Sequence, residues 1–233
     1  MSTAKVHFIG GEKGGVGKSL FSRVLCQYFI DRGIPFRGFD TDLSHGALVR
    51  FYGDNVVPID VSRYEGLDSV VETALQEQQS AVVDLAAQTH TFLTRWLDDS
   101  SGIDLANEIG VVLTYWHVMD SGRDSVDLLQ KLLDQLGGRM KVVVVLNEVR
   151  GGEFDILKAS GQLNRAESMG ASTINVRKVS DATMQKIDQL NTSFWAASQR
   201  ADNAGTGLAL FERQRVKLWL DKIYGQLDHL GRV

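Results

Sequence analysis

The clearest chemical capacity in this 233-residue chain lies in Gly10-Gly11-Glu12-Lys13-Gly14-Gly15-Val16-Gly17-Lys18-Ser19. Glycines let consecutive backbone N–H groups converge on one point with no Cβ atoms in the way, and such a ring of donors suits a polyphosphate. A helix beginning at Lys18 adds the positive end of its dipole. Lys18 would reach the β- and γ-phosphates, and the Ser19 hydroxyl would ligate Mg2+. The bland alternative is a glycine-rich turn carrying a solvated lysine. It is disfavoured by the apolar run Val6–Ile9 before the loop and the helical periodicity after it, the order that a phosphate cradle requires.

The strict phosphate-loop pattern asks for glycine where Glu12 stands. Lys13-Gly14-Gly15-Val16-Gly17-Lys18-Ser19 resembles the deviant Walker A motif of the ParA/MinD family, in which that position is not always glycine. The resemblance implies that Gly14, Gly15, Val16, Gly17, Lys18 and Ser19 bind nucleotide. It also implies that Lys13 is a signature lysine contacting the nucleotide of the other subunit in an ATP-bound dimer. A cation inserted in trans could neutralise charge on the γ-phosphate, as an arginine finger does; otherwise Lys13 is a solvated loop residue.

Carboxylates at strand C-terminal ends lie beside such a loop. Asp40-Thr41-Asp42 is similar to the family's switch I, which implies that Asp40 helps hold the metal shell and Asp42 orients the attacking water. A helix N-cap or Asx-turn competes for Asp42, and Leu43-Ser44 stand where the family usually has Pro-Gln. Ala81-Val82-Val83-Asp84 resembles a Walker B strand, with Asp84 bonded to Mg2+ through water. Leu85-Ala86-Ala87-Gln88 follow in place of a Pro-Pro or Pro-Gly switch II. Gln88 is either a water-positioning group or an exposed polar residue. Asn147 stands where the family reads the adenine edge, its amide offering donor and acceptor together; a turn-forming Asn is the competitor. No Asn/Thr-Lys-x-Asp guanine signature is present, so ATP is favoured over GTP. The resemblance covers residues 5–150.

The elements that must position these groups are legible as alternating apolar runs and amphipathic stretches. Strands are predicted at Val6–Ile9, Phe36–Phe39, Ala81–Leu85, Gly110–His117 and Val142–Leu146, the last β-branched or apolar throughout as in a strand covered on both faces. Helices are predicted at Lys18–Asp31, Tyr64–Gln79, Thr89–Asp98, Ser121–Leu136 and Phe154–Met169, with Gly33 stopping the first. Such alternation predicts a doubly wound α/β fold, a mostly parallel sheet with helices on both faces of a P-loop NTPase domain. No Pro-rich linker or repeat divides residues 1–233, so a single domain is expected. Beyond Ser172 the pattern loosens, then ends in a helix from about Thr206 to Leu230. Its apolar stripe (Val216, Leu220, Ile223, Leu227, Leu230) is flanked by Arg213, Arg215, Lys217 and Lys222. That helix could lie on a membrane surface, present a basic face to DNA, or simply dock on the sheet; docking is favoured, because Asp221 and Asp228 dilute the basic face.

Composition narrows the class. Lys plus Arg is 25 against 29 Asp plus Glu, a net charge of −4, which excludes a polycation coating nucleic acid by charge alone. One cysteine, Cys26, excludes a disulfide framework or Cys-rich cluster within one chain. The apolar stretch Ile109–Met119 is half the length of a membrane span, and the amino terminus lacks a secretion-type apolar run, so a cytoplasmic protein is expected. The five histidines show no metal-ligand spacing. Together with the resemblance these features predict an ATP-dependent homodimer that cycles between ATP and ADP with Mg2+. Slow hydrolysis stimulated by a protein partner would position or transfer plasmid DNA or a protein complex. Nonspecific DNA is a further candidate partner and a membrane surface a less favoured one. The Glu212-Arg213-Gln214-Arg215-Val216-Lys217 segment and the Asp84–Gln88 run also look like the TraL-type conjugal-transfer branch. An ATP-dependent amidoligase of the cobyrinate or dethiobiotin type, or a non-hydrolysing nucleotide-binding scaffold, are the alternatives.

Overall fold

In the computed structural model, which describes residues 4–199, 207–231 and 233, strand and helix alternate as the hydrophobic pattern requires. The strands are β1 (Lys5–Gly10), β2 (Phe36–Asp40), β3 (Val56–Pro58), β4 (Ser80–Asp84), β5 (Val112–Met119), β6 (Lys141–Asn147) and β7 (Ser172–Val176). The helices are α1 (Lys18–Arg32), α2 (Ala47–Tyr52), α3 (Tyr64–Gln76), α4 (His90–Asp99), α5 (Gly102–Glu108), α6 (Arg123–Leu136), α7 (Asp155–Ser160), α8 (Gln162–Ser168), α9 (Asp181–Gln189), α10 (Phe194–Gln199) and α11 (Leu210–His229). The described strands form one sheet in the order β3-β2-β4-β1-β5-β6-β7, every neighbouring pair parallel. The doubly wound expectation therefore holds.

Helices cover both faces. Against one face pack α1, α2, α9, α10 and α11, joined to β5 and β6 through Trp116, Val143 and Val145. Against the other pack α3, α4, α5 and α6 over Phe8, Val83 and Tyr115. A smaller cluster under α6, α7 and α8 closes the β6 side. β6 is buried at every position after Lys141, which is why its sequence has no polar alternation.

Several boundaries differ from the sequence expectation. The predicted helix at Phe154–Met169 is two, α7 and α8, broken where Gly161 takes a left-handed φ of +72°. The other predicted helices and strands end within two residues of their observed bounds, within ordinary fraying, except that Tyr64–Gln79 overshoots α3 by three. β3, only three residues long, and the edge strand β7 escaped notice because neither carries a continuous apolar run. The start expected near Thr206 lies outside the described residues.

Helix α1 is not a one-sided amphipathic helix as expected: Phe21 to Phe29 is buried throughout, with the sheet beneath and α2, α10 and α11 above. Even Arg23 is enclosed, its Nη1 2.8 Å from Asp188 of α9 and its guanidinium over Phe51 and Phe194 at 3.7 and 4.6 Å from the ring centroids. The stripe of α11 (Val216, Leu220, Ile223, Leu227) is core, and Tyr224 and Asp228 bond to Asp31, Tyr28 and Arg32 of α1. Its apolar face is therefore consumed within the chain. Cys26 is buried and free, Trp116 and Trp219 are core, and Trp195 is 55% exposed. No helix of the described residues is long and apolar enough to cross a membrane.

Candidate functional site

At the C-terminal edge of the sheet, β1 runs straight into the glycine loop and α1 leaves it. Gly11 sits at a φ of +137° and Gly17 at +93°, backbone that L side chains rarely adopt. A Cβ on Gly11 would stand 2.4 Å from the Val118 carbonyl oxygen, and one on Gly17 would stand 2.1 Å from Asn147 Nδ2. The positive φ falls at Gly11, not at position 12, so Glu12 is accommodated without strain; its exposed carboxylate turns outward, 4.0 Å from His90 Nε2. The first turn of α1 has no side-chain cap. Its amides stay open, which is the state an anion-binding helix N-terminus needs.

These features enclose a cavity of about 270 Å3 lined by Gly14, Gly15, Gly17, Lys18, Ser19, Asp40, Asp42 and Asp84. Eight of the residues singled out in the sequence thus converge, brought together from β1, α1, β2 and β4. Lys18 is 9% exposed and its Nζ donates to the Lys13 carbonyl at 3.2 Å. Desolvation holds its pKa below the usual lysine range, only partly opposed by Asp84. Asp84 is fully buried, and desolvation pushes its carboxyl up to about 6 although the Ser19 hydroxyl bonds to it; nearby Asp40 pushes the same way. Asp84 Oδ1 has no hydrogen-bond partner.

An orphaned buried carboxylate oxygen beside a serine hydroxyl fits a hard divalent cation. Among the described residues no cluster of three His, Cys, Asp or Glu side chains is arranged to cage a metal. Asp84 and Ser19 would offer such an ion one or two protein oxygens, the number Mg2+ takes where substrate and water complete its shell. Because Asp84 ionises near 6 in the fold and near 3.8 in the unfolded chain, its charge lowers stability progressively as pH rises across that window, and the full penalty stands above it. Asp84→Asn is expected to gain stability over wild type across this interval, levelling at about 3 kcal/mol, while losing magnesium-dependent binding. Paired denaturant melts at pH 4 and pH 7 test this; a difference independent of pH would contradict it.

Three expected roles need adjustment. Asp40 Oδ1 accepts from the Asp42 amide, and Oδ2 accepts from the Leu48 and Val49 amides at 2.8 and 3.2 Å. It caps the start of α2, so its bearing on a metal is through charge rather than a free oxygen. Asp42 Oδ1 accepts from Ser44 Oγ and from the Ser44 and His45 amides, and the Ser44 bond foremost keeps its carboxyl below the ordinary range. That is the Asx-type turn weighed against the water-orienting role. Asn147 is 1% exposed and its Nδ2 donates to the Val16 carbonyl at 2.8 Å, so it braces the underside of the loop. Val16 is itself buried core and serves the loop through its backbone.

Lys13 turns away from the cavity to a cluster that sequence reasoning missed. Asp120, just past β5 and 0% exposed, receives Lys13 Nζ at 3.3 Å, Ser125 Oγ at 2.6 Å and the Gly122 amide at 3.0 Å. Arg150 Nε stands 3.2 Å from its other oxygen, and Asp124 lies 3.6 Å from Lys13. Burial works to raise the Asp120 carboxyl, yet these bonds together hold it below the usual range. The available signal was Trp116-His117-Val118-Met119-Asp120: a buried strand ending in Asp at the active edge, just as β4 ends in Asp84. Thr41 was also overlooked. Its hydroxyl donates to the Asp84 carbonyl and accepts from the Ala86 amide, tying the end of β2 to the segment after β4. Gln88 holds an exposed left-handed turn at φ +76°.

The sheet order, the glycine loop at the end of β1 and the acidic ends of β2 and β4 define a doubly wound α/β protein of the P-loop kind. No family model matches the chain. It is 26% identical over 239 residues to "Protein TraL" of Escherichia coli, a match spanning 97% of this chain and 98% of that protein. A second match, 26% identical over 186 residues, is to "Protein MobD" of Acidithiobacillus ferrooxidans and spans 78% of this chain and 81% of that one. Among solved structures, a nucleotide-binding protein in complex with ADP from Archaeoglobus fulgidus superposes with a TM-score of 0.52 over 81% of this chain and 86% of its own, at 14% identity. The last likeness is one of fold.

Proposed function

We propose that this chain is an ATP-dependent dimerisation switch of the ParA/MinD type that positions or transfers plasmid DNA or a protein complex. Conjugal transfer is the favoured setting, from the TraL-like features of the sequence together with relatives bearing the names TraL and MobD. The observation that carries the reading is the convergence of an uncapped α1 N-terminus, Lys18, Ser19 and the orphaned Asp84 carboxylate on one small cavity.

In this reading the amides of Gly14 to Lys18 and the Lys18 ammonium bind the triphosphate. Mg2+, when bound, would supply positive charge against the β- and γ-phosphate oxygens. Ser19 and Asp84 are the residues that would hold it, and Asp84 becomes fully ionised on doing so. Asp42 lines the cavity, and the bonds from Ser44 and His45 all fall on Oδ1, which leaves Oδ2 to accept from an attacking water. Lys13 must leave Asp120 to reach a neighbouring subunit's nucleotide, and Arg150 stays behind as a counter-charge for Asp120. The engagement of Lys13 by Asp120 makes the resting chain a poor hydrolase and assigns the stimulation to dimerisation or a partner. A neighbour of the same fold in complex with ADP is consistent with a nucleotide ligand.

The test is nucleotide binding joined to solution mass. With magnesium, ATP should bind and raise the mass by light scattering toward twice that of a single chain, whereas ADP should bind without doing so. No binding of either nucleotide would overturn the proposal.

A further inference from the structure

A second concave feature, sharing no lining residue with the phosphate cavity, lies where α11 passes the edge strand β7. The groove has a volume of about 470 Å3. Its floor is apolar: Leu218, 49% exposed, lies beside the outer rims of the core residues Trp219 and Ile223, which are 7% and 1% exposed. Its rim is cationic: Arg177 and Lys178 follow the end of β7, and Arg215 and Lys222 project from α11. All four are exposed. Arg215, Leu218 and Lys222 are spaced three and four residues apart, so they form one stripe along the helix. In a chain whose net charge is −4, this concentration of positive charge is local.

Little of that charge is neutralised internally. Lys178 pairs with Asp181 at 3.0 Å, and Glu212, which bears on Arg215, is itself taken by Lys186 at 2.9 Å. Asp221 is the exposed carboxylate next to Lys222 on α11. Among the described residues no ion pair engages Arg177, Arg215 or Lys222.

The sheet edge beside the groove is already occupied by side chains. Gln226 accepts from the Asn175 amide at 2.7 Å and donates to the Asn175 carbonyl at 2.9 Å, and Trp219 Nε1 donates to the Arg177 carbonyl at 2.7 Å. Both backbone groups of Asn175 and the carbonyl of Arg177 are thereby satisfied, which opposes addition of a ligand there as an eighth strand. It must lie across the side chains instead, meeting apolar surface in the middle and cations at the border. A nucleic-acid backbone would satisfy the cations but leave Leu218 and the Trp219 edge uncovered. A chain with acidic residues interspersed among large apolar ones matches both.

We propose that the β7–α11 groove is a docking site for an acidic, apolar-studded segment of a partner protein. Leu218, against the rim of Trp219, receives its apolar side chains, while Arg177, Arg215 and Lys222 receive its carboxylates.

A displayed library of random dodecapeptides, selected on the full chain and counter-selected on Arg215→Glu/Lys222→Glu, tests this directly. The expected winners carry net negative charge together with Leu, Ile, Phe or Trp. As fluorescent peptides they should bind the wild type in a salt-sensitive manner, and about tenfold or more weakly to the double variant and to Leu218→Ser. All three positions are exposed, so the variants are expected to melt with the wild type, and circular dichroism checks this. The charge-neutral pair Arg215→Ala/Lys222→Ala, expected to weaken binding in the same direction, replaces the reversal if that variant does not fold. Winners without acidic residues, or no enrichment over the counter-selection, would overturn the proposal. So would a short random-sequence DNA duplex that binds the wild type and is lost in the same variants, which would give this face to nucleic acid.

Discussion

Lys18→Ala is expected to weaken ATP binding by roughly a hundredfold while leaving the fold as stable as before or more so. The loss corresponds to about 3 kcal/mol, the upper worth of a hydrogen bond between charged groups shielded from bulk water. The stability sign follows from burial. Lys18 is 9% exposed, and desolvation lowers its pKa more than Asp84 restores it. A lysine whose pKa falls on folding holds its proton less tightly in the native state, so its charge opposes the fold at neutral pH. Truncation relieves that opposition and gives up one 3.2 Å bond to the Lys13 carbonyl. Equilibrium titration with a fluorescent ATP analogue, paired with a thermal melt of the apo-protein, separates the two effects. Wild-type affinity in the variant would remove the phosphate-loop assignment.

The second large effect is expected from Lys13→Ala, which should abolish the ATP-dependent dimer while changing single-chain ATP affinity by less than about threefold, under 1 kcal/mol. Lys13 does not line the cavity; its ammonium is spent on Asp120 and Asp124. Removing it leaves the buried Asp120 with Ser125, Gly122 and Arg150, so the fold should lose about 1–3 kcal/mol and still form. The complementary change, Asp120→Asn, weakens the hold on Lys13 and should let the dimer form at lower ATP concentration, with Ser125 and Gly122 still able to bond the amide oxygen. Light scattering across an ATP series reads both variants. A Lys13→Ala protein that dimerises like wild type would end the trans-lysine reading and leave a simple nucleotide-binding chain. Opposite shifts from the two substitutions would identify Asp120 as the resting station of Lys13.

What the linear sequence determined is what depends on local order. Glycines between an apolar run and a helical stripe can only be a strand–loop–helix turn, so the phosphate loop and the alternating architecture were readable without coordinates. Asp84 was readable for the same reason, because a buried strand ending in a carboxylate places that carboxylate at the sheet's C-terminal edge. What the tertiary structure decided concerns partners far apart in the chain, to which periodicity is blind. Asp120 meets Lys13 across 107 residues, and Asn147 meets Val16 across 131. Asp40 turns to cap α2, a six-residue helix too short to leave a stripe. The burial of α1 from Phe21 to Phe29 arose because α2, α10 and α11 close over its outer face, and a helix covered on two sides has no amphipathic period to detect. The basic, apolar-floored groove likewise exists only because packing turns α11 so that Val216 and Leu220 face inward and leaves Arg215, Leu218 and Lys222 beside β7.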